Sequence, residues 1–106
     1  QQIAKFQAVA HKFAEMAMMT ETARLHAFNT AEMLDAGEDA VLETAMAKVI
    51  ASENNFKVAD LGMHIMGAAG YMQGDMQRLF RDARLGTIGG GTSDILRNVI
   101  AQRMDL

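Results

Sequence analysis

Hydrophobic residues recur at three- and four-residue steps through the first two-thirds of the chain, which places them along one side of a helix. The first run predicts a long helix over residues 3–34, ended by Gly37 as a left-handed cap. The second run predicts another long helix to about residue 66. Glu38 and Asp39 open that helix, because carboxylates suit the positive end of a helix dipole.

The rest of the chain carries most of the glycine. Eight of the nine glycines lie between Gly62 and Gly91, a distribution typical of shorter helices joined by shaped loops. We predict loops over 67–74 and 86–91, and short helices over 75–84 and 92–104, the last capped by Thr92 or Ser93. The sequence therefore predicts one all-α domain over 1–106, an antiparallel four-helix bundle with two long and two shorter helices.

Composition narrows the class of protein further. Half of the residues are hydrophobic, only 6% are aromatic, and proline and cysteine are absent. These values favour packed helices and exclude disulfides and thiolate metal sites. The net charge of −3 argues against nucleic acid as a partner. No apolar run approaches the ~20 residues that span a bilayer. The ten methionines predict adaptable core filler, with a methionine-rich ligand groove as the alternative.

Two groups of charged residues are candidates for chemistry, and each also has a simple interpretation. His11 and Glu15 stand four residues apart, but a metal site in a bundle needs more ligands, so we predict a surface pair and no metal. Arg81 and Asp82 lie in a charged stretch of the third helix. We interpret them as a solvated face, with the alternative that they tie the two glycine loops together.

The glycine loops are the stronger candidates. Small residues from Gly67 to Gly70 let a bulky group approach the backbone, although a plain connecting loop explains them equally well. The second loop, Ile88–Asp94, leads three glycines directly into a helix N-terminus, an arrangement that attracts anions. It suits a phosphate, a pyrophosphate or a thioester carbonyl. It is not a nucleotide-hydrolase phosphate loop, because the Lys-Ser/Thr ending is missing.

Four short motifs in order resemble the C-terminal helical domain of acyl-CoA dehydrogenases, and the resemblance covers essentially the whole chain. The motifs are Phe6-Gln7-Ala8-Val9, Gly67 to Tyr71, Arg81-Asp82-Ala83-Arg84, and Ile88 to Arg97 followed by Ile100-Ala101. Each motif alone is weak, but four in order at family spacing are specific. Because the chain begins Gln1-Gln2 without an initiator Met, we interpret it as a fragment of such an enzyme.

The resemblance implies an FAD-dependent oxidoreductase of fatty acid metabolism that converts acyl-CoA thioesters to 2-enoyl-CoA. A carboxylate removes the α-proton while hydride passes from the β-carbon to the flavin. It also implies a homodimer or homotetramer with FAD bound between subunits, and electron-transfer flavoprotein as a possible electron acceptor. The implied location is the cytoplasm, or the mitochondrial matrix in a eukaryote.

The resemblance also assigns residues. Gln7 matches a glutamine near the adenine end of the flavin, and the segment from His64 matches one that meets the FAD of a neighbouring subunit. Thr92 and Asp94 match positions that touch FAD, and Gly91 lies on the substrate side. The implied cofactor-binding residues are Gln7, His64, Gly67, Ala68, Gly70, Thr92 and Asp94.

The chain departs from the family pattern at Gly89, which replaces a frequent tyrosine, in lacking the Arg and Phe-Gly that usually come just before the Ile88–Asp94 segment, and at three positions that bear on the site. His64 stands where glutamine is frequent, and Ala68 where glycine is frequent. The third is Gly90, which occupies the frequent position of the glutamate base, and glycine cannot accept a proton. The chain therefore offers no catalytic residue.

Three interpretations follow from Gly90. We favour an active enzyme whose base lies on a helix before Gln1; the alternatives are a base-less partner subunit and a flavin-dependent relative with other chemistry, such as oxygenation. A helical oligomerisation module without flavin is the hypothesis from a different class. We also predict that the isolated chain is inactive and self-associates.

Overall fold

The chain forms helices throughout. A computed structural model describes residues 2–106, and these residues contain no strand. The all-α prediction is therefore confirmed. After a 3₁₀ turn at Ile3–Lys5, the helices are α1 (Gln7–Asp35), α2 (Val41–Met66), α3 (Ala68–Tyr71), α4 (Asp75–Gly86) and α5 (Ser93–Arg103).

The reversal between the two long helices follows the sequence signals closely. Gly37 adopts φ +76°, the left-handed cap that was predicted, and its N–H donates to the carbonyl of Leu34 at 3.1 Å. The helix α2 begins later than predicted, because the carboxylate of Asp39 accepts from the backbone N–H of Val41 at 3.2 Å and so lies before the first turn.

The central element of the fold is α2, on which α1, α4 and α5 all pack. The order of the contacts along each pair shows that all three run antiparallel to α2. Within residues 2–106 the backbones of α1 and α4 do not come close, nor do those of α4 and α5. The arrangement is a helical bundle centred on α2, in which Met16 of α1 and Met76 of α4 both come within 3.7 Å of where a Cβ on Gly62 would be. The defining pairs are Met19–Asn54, Thr30–Glu43, Gly86–Lys48, Phe80–Phe56 and Arg97–Glu53.

The buried core is made of small side chains. Its hydrophobic members are Ala40, Ala45, Val49, Ala59 and Ala83. Alanine lets helices approach closely, so these residues set the spacing of α2 and its neighbours. None of the ten methionines is buried. They surround the core instead of filling it.

Large hydrophobic side chains lie instead on the outside. The outer face of α1, which we define as Phe13, Leu25 and Phe28 together with Phe6 just before the helix, is exposed to solvent, with exposures of 44–59%. An apolar surface of this kind is a feature of interaction sites. No helix in residues 2–106 is long and apolar enough to cross a membrane.

The predicted loop over 67–74 contains the one-turn helix α3, which is too short to leave a periodic pattern. Gly70 within it is buried, and a Cβ added there would lie 2.9 Å from the Cβ of Met66. The absence of a side chain therefore lets α3 pack against the end of α2. The following helix, α4, runs two residues further than predicted, to Gly86.

Candidate functional site

The residues predicted to contact FAD fall into two groups. The first, the α2-end group, comprises His64, Gly67, Ala68 and Gly70 at the C-terminus of α2 and in α3. The second lies at the N-terminus of α5, where Thr92 and Asp94 share a cavity with Glu53 of α2. Gly67 follows Glu53 by fourteen positions, directly after the end of the same continuous helix, which corresponds to a rise of ~21 Å. One chain therefore presents two separate surfaces to a ligand.

Gln7 belongs with the α2-end group. Met16 of α1 lies opposite Gly62, since its Cε is 3.7 Å from where a Cβ on Gly62 would be. Gln7 precedes Met16 by nine residues in an antiparallel helix. It therefore lies beyond the level of Gly62, towards the C-terminal end of α2.

The backbone shapes the α2-end group. Gly67 ends α2 with φ +62°, and its N–H donates to the carbonyl of Met63 at 3.0 Å. The chain then turns into α3, so that His64 and Ala68 remain exposed while Gly70 is buried. The neighbouring cavity of about 370 Å³ adds two aromatic rings and a guanidinium group, those of Tyr71, Phe80 and Arg81.

The second group is built on the turn over 87–92. Gly90 and Gly91 adopt φ of +73° and +113°, which residues with side chains rarely adopt. The hydroxyl of Thr92 accepts from the backbone N–H of Ile95 at 3.1 Å, so Thr92 rather than Ser93 is the N-cap of α5. The Ser93 N–H donates back to the Thr87 carbonyl at 3.3 Å and closes the turn.

The cavity beside this turn has the charges that a bound phosphate group needs. Its volume is about 470 Å³, and its charged lining consists of three cations and two carboxylates: Lys57, Arg84, Arg97, Glu53 and Asp94. The guanidinium of Arg84 lies 4.8 Å from the centre of the Phe56 ring, which holds it against α2. Thr92, Ser93 and Asp94 at the start of α5 line the same cavity. The residues here therefore fit the phosphate portion of a flavin nucleotide.

Gly90 borders a different cavity, of about 560 Å³ and mostly apolar, that Leu34, Ala45 and Leu96 also line. A Cβ on Gly90 would meet nothing within 4 Å. The carboxylates of this cavity are Glu38 and Asp39. Asp39 already accepts from the Val41 N–H and pairs with Arg103 at 3.3 Å.

The remaining charged candidates lie on the surface. His11 and Glu15 are both exposed, and the described part of the chain has no group of three or more His, Asp or Glu that could hold a metal ion. Asp82 is exposed and pairs with Arg78 of its own helix at 3.7 Å. The structure thus agrees with a solvated charged face on α4 and not with a tie between the glycine loops.

Three residues hold the turn in place through contacts that sequence reasoning missed. Lys48 donates from its Nζ to the carbonyl of Gly86 at 2.5 Å. Glu53 accepts two hydrogen bonds from Arg97, at 2.7 and 2.9 Å. The partners are 38 and 44 residues apart, so no local pattern in the sequence indicates that they meet.

The fold and the site define the class of protein, which is an all-helical domain with a glycine turn that leads into a helix capped by Thr92. Comparison with known proteins gives the family. The family model described as "Acyl-CoA dehydrogenase, C-terminal domain" matches residues 1–105. The chain belongs to this family. It is 41% identical over 98 residues to the mitochondrial short/branched chain specific acyl-CoA dehydrogenase of Bos taurus, covering 92% of this chain and 23% of that protein.

Two further proteins extend the comparison. The CarC subunit of the caffeyl-CoA reductase-Etf complex of Acetobacterium woodii is 38% identical over 100 residues, covering 93% of this chain and 26% of that protein. A solved FAD-dependent dehydrogenase superposes with a TM-score of 0.94 and 33% identity, covering all of this chain and 29% of its own. The chain thus spans about a quarter of the length of the proteins it matches.

Proposed function

We propose that this chain is the C-terminal domain of an FAD-dependent oxidoreductase that introduces the α,β double bond into acyl-CoA thioesters, and that it contributes FAD contacts and subunit contacts. The observation that supports this function is the turn over 87–92. There the helix N-terminus of α5, the Thr92 hydroxyl and the side chains of Lys57 and Arg84 border one cavity. The family and the solved FAD-dependent dehydrogenase support the choice of FAD as the ligand.

The residues of this chain would hold the cofactor and leave room for the substrate. FAD supplies the acceptor for the hydride that leaves the β-carbon. Lys57 and Arg84 offset phosphate charge, and Gly91 keeps the substrate side of the turn open. Gly90 has no group that takes a proton, so the base that removes the α-proton comes from outside this turn. By this proposal the isolated chain is inactive, and dehydrogenation of an acyl-CoA by the fragment alone would contradict it.

FAD content of the full-length enzyme tests the assignment. Thr92→Ala removes both the candidate FAD contact and the helix cap, so Thr92→Asp is the sharper variant. Aspartate caps a helix as well as threonine does, but its charge repels a phosphate. We expect Thr92→Asp to keep the thermal stability of the apoprotein and to lose most of the bound FAD.

His64→Ala tests the α2-end group, with His11→Ala on α1 as its control, since both imidazoles are exposed. We expect only His64→Ala to lower the ratio of FAD to protein after gel filtration. Unchanged flavin in both Thr92→Asp and His64→Ala would exclude these positions as FAD contacts.

The separation of the two groups along α2 supports binding of FAD between subunits, with the α2-end group of one subunit meeting the cofactor of another. We propose a homodimer or homotetramer that associates through the outer face of α1. Phe13→Glu places a charge in that face, and Gln102→Glu adds the same charge on α5. Sedimentation of the full-length enzyme should show dissociation with Phe13→Glu only. A strictly monomeric wild type would refute the assembly.

The electron acceptor and the location are further proposals. The CarC relative belongs to a complex with Etf, which supports electron-transfer flavoprotein as the partner that reoxidises the flavin. Some relatives are mitochondrial, which supports the mitochondrial matrix in a eukaryote and the cytoplasm in a bacterium. Reduction of purified electron-transfer flavoprotein by the enzyme and acyl-CoA tests the partner.

Gly90 favours one second candidate, a subunit that binds FAD but needs a catalytic partner to supply the base. The two functions differ in a simple assay. A purified enzyme with full FAD content that reduces its flavin on addition of acyl-CoA supports the first. Flavin that stays oxidised until a second protein is added supports the second.

A further inference from the structure

Side chains of one helix hold the turn over 87–92 from both sides. On the side before the turn, Lys48 of α2 donates to the carbonyl of Gly86, the last residue of α4. On the side after it, Glu53 of α2 accepts both hydrogen bonds from Arg97 of α5. Since Lys48 and Glu53 lie on the same continuous helix, the two ends of the turn are fixed relative to each other.

The pair between Glu53 and Arg97 is the more specific of these contacts. It is bidentate, a geometry that fixes orientation as well as distance. The Glu53 side chain is 27% exposed, and its pKa is lowered chiefly by the hydrogen bond from Arg97. The Ser93 hydroxyl adds a smaller lowering of the same pKa, although its buried oxygen makes no hydrogen bond of normal geometry.

The ion pair between Glu53 and Arg97 holds the first turn of α5 against α2. Arg97 follows Ser93 by four residues, so the two side chains lie on the same side of the helix, the side that faces α2. Asp94, the residue after Ser93, lies further round the axis of α5. Rotation of α5 about its axis would therefore break the contact with Glu53 and move Thr92 and Asp94 together.

We propose that Glu53 and Arg97 are positioning residues that set the rotation of α5 and thereby the placement of Thr92 and Asp94 against the flavin nucleotide. This inference rests on the proposed function. An ion pair with an exposed partner adds little stability, and Arg97 is 53% exposed. The effect of the pair should therefore appear in cofactor affinity more than in the stability of the fold.

The test measures the FAD dissociation constant and the melting temperature of the full-length apoenzyme. We expect Glu53→Gln and Arg97→Met each to weaken FAD binding by about tenfold, the size expected for one charge-assisted hydrogen bond. The double variant should bind as each single variant does, because both lose the same contact. Arg97→Lys keeps the positive charge but cannot form both hydrogen bonds, so we expect a smaller loss of FAD affinity. This variant replaces Arg97→Met in the test if Arg97→Met fails to fold.

Arg103→Met is the matched control, since it breaks the ion pair between Arg103 and Asp39 at the far end of the same helix. Its FAD affinity should equal that of the wild type. Equal losses in Arg103→Met and Arg97→Met, additive losses in the double variant, or unchanged affinity in Glu53→Gln would each overturn the positioning role while leaving FAD binding established. A wild-type enzyme that binds no FAD would overturn the proposed function and this inference together.

Discussion

The side-chain amide of Asn54 on α2 donates a hydrogen bond of 3.0 Å to the backbone carbonyl oxygen of Met19 on α1. Asparagine is a poor helix former, and the pair Asn54-Asn55 looks from the sequence like a weak point in a long helix. The structure gives Asn54 a different role. It joins the two long helices near their middles, where a small cavity of about 170 Å³ limits direct packing.

The Asn54 contact leads to a prediction about stability. Asn54→Ala removes the hydrogen bond between the helices and should lower the free energy of unfolding by about 1 kcal/mol. Asn55→Ala changes the exposed neighbour and should stay within about 0.5 kcal/mol of the wild type. Thermal unfolding of the full-length enzyme followed by circular dichroism measures both. If the two variants have the same melting temperature, the side-chain amide of Asn54 does not join the helices in solution.

A second prediction concerns the close approach at Gly70. The Cβ of Gly70→Ala would lie 2.9 Å from the Met66 Cβ and 3.0 Å from the Met63 carbonyl oxygen. The backbone must shift to accept it, so we expect a loss of about 1–3 kcal/mol. Gly86→Ala is the control, because its Cβ would lie at an ordinary 3.8 Å from that of Ser52. Equal melting temperatures for Gly70→Ala and the wild type would mean that α3 does not pack on α2 as described.

The sequence predicted those parts of the fold that depend on local physics. The helical repeat located α1 and α2, the left-handed glycine located their reversal, and the hydroxyl before α5 located its cap. The short helix α3 could not be predicted because one helical turn leaves no periodic pattern in the sequence. The contacts Lys48–Gly86 and Glu53–Arg97 could not be predicted because each joins residues that are far apart in the chain. The separation of the candidate FAD contacts into two groups likewise follows from helix pairing, and only the folded arrangement reveals it.

Gly90 and Gly37 form a matched pair for a third prediction. Both have φ near +75°, and a Cβ on either would meet nothing within 4 Å. Alanine at either position should therefore destabilise the fold by a similar amount, about 1–2 kcal/mol, from backbone strain alone. Only Gly90 lies in the turn over 87–92, next to Gly91 on the proposed substrate side, so Gly90→Ala alone should raise the KM for acyl-CoA. Steady-state kinetics of both variants at a temperature well below melting measures the KM. An equal KM in both variants would show that the turn is not part of the substrate site.

Acid should loosen α5 through Glu53. The hydrogen bond from Arg97 is the largest cause that lowers the pKa of Glu53 below its ordinary value of 4.5. A carboxylate with a lowered pKa in the folded state contributes its stability above 4.5, and that contribution is lost as the pH falls through the lower folded value. Glu53→Gln lacks the charge at every pH. We therefore expect the wild type to melt at a slightly higher temperature than Glu53→Gln at pH 7, and this small difference to shrink as the pH falls below 4.5. A difference between wild type and Glu53→Gln that stays constant from pH 7 to pH 3.5 would show that the variant acts through packing and not through the charge of Glu53.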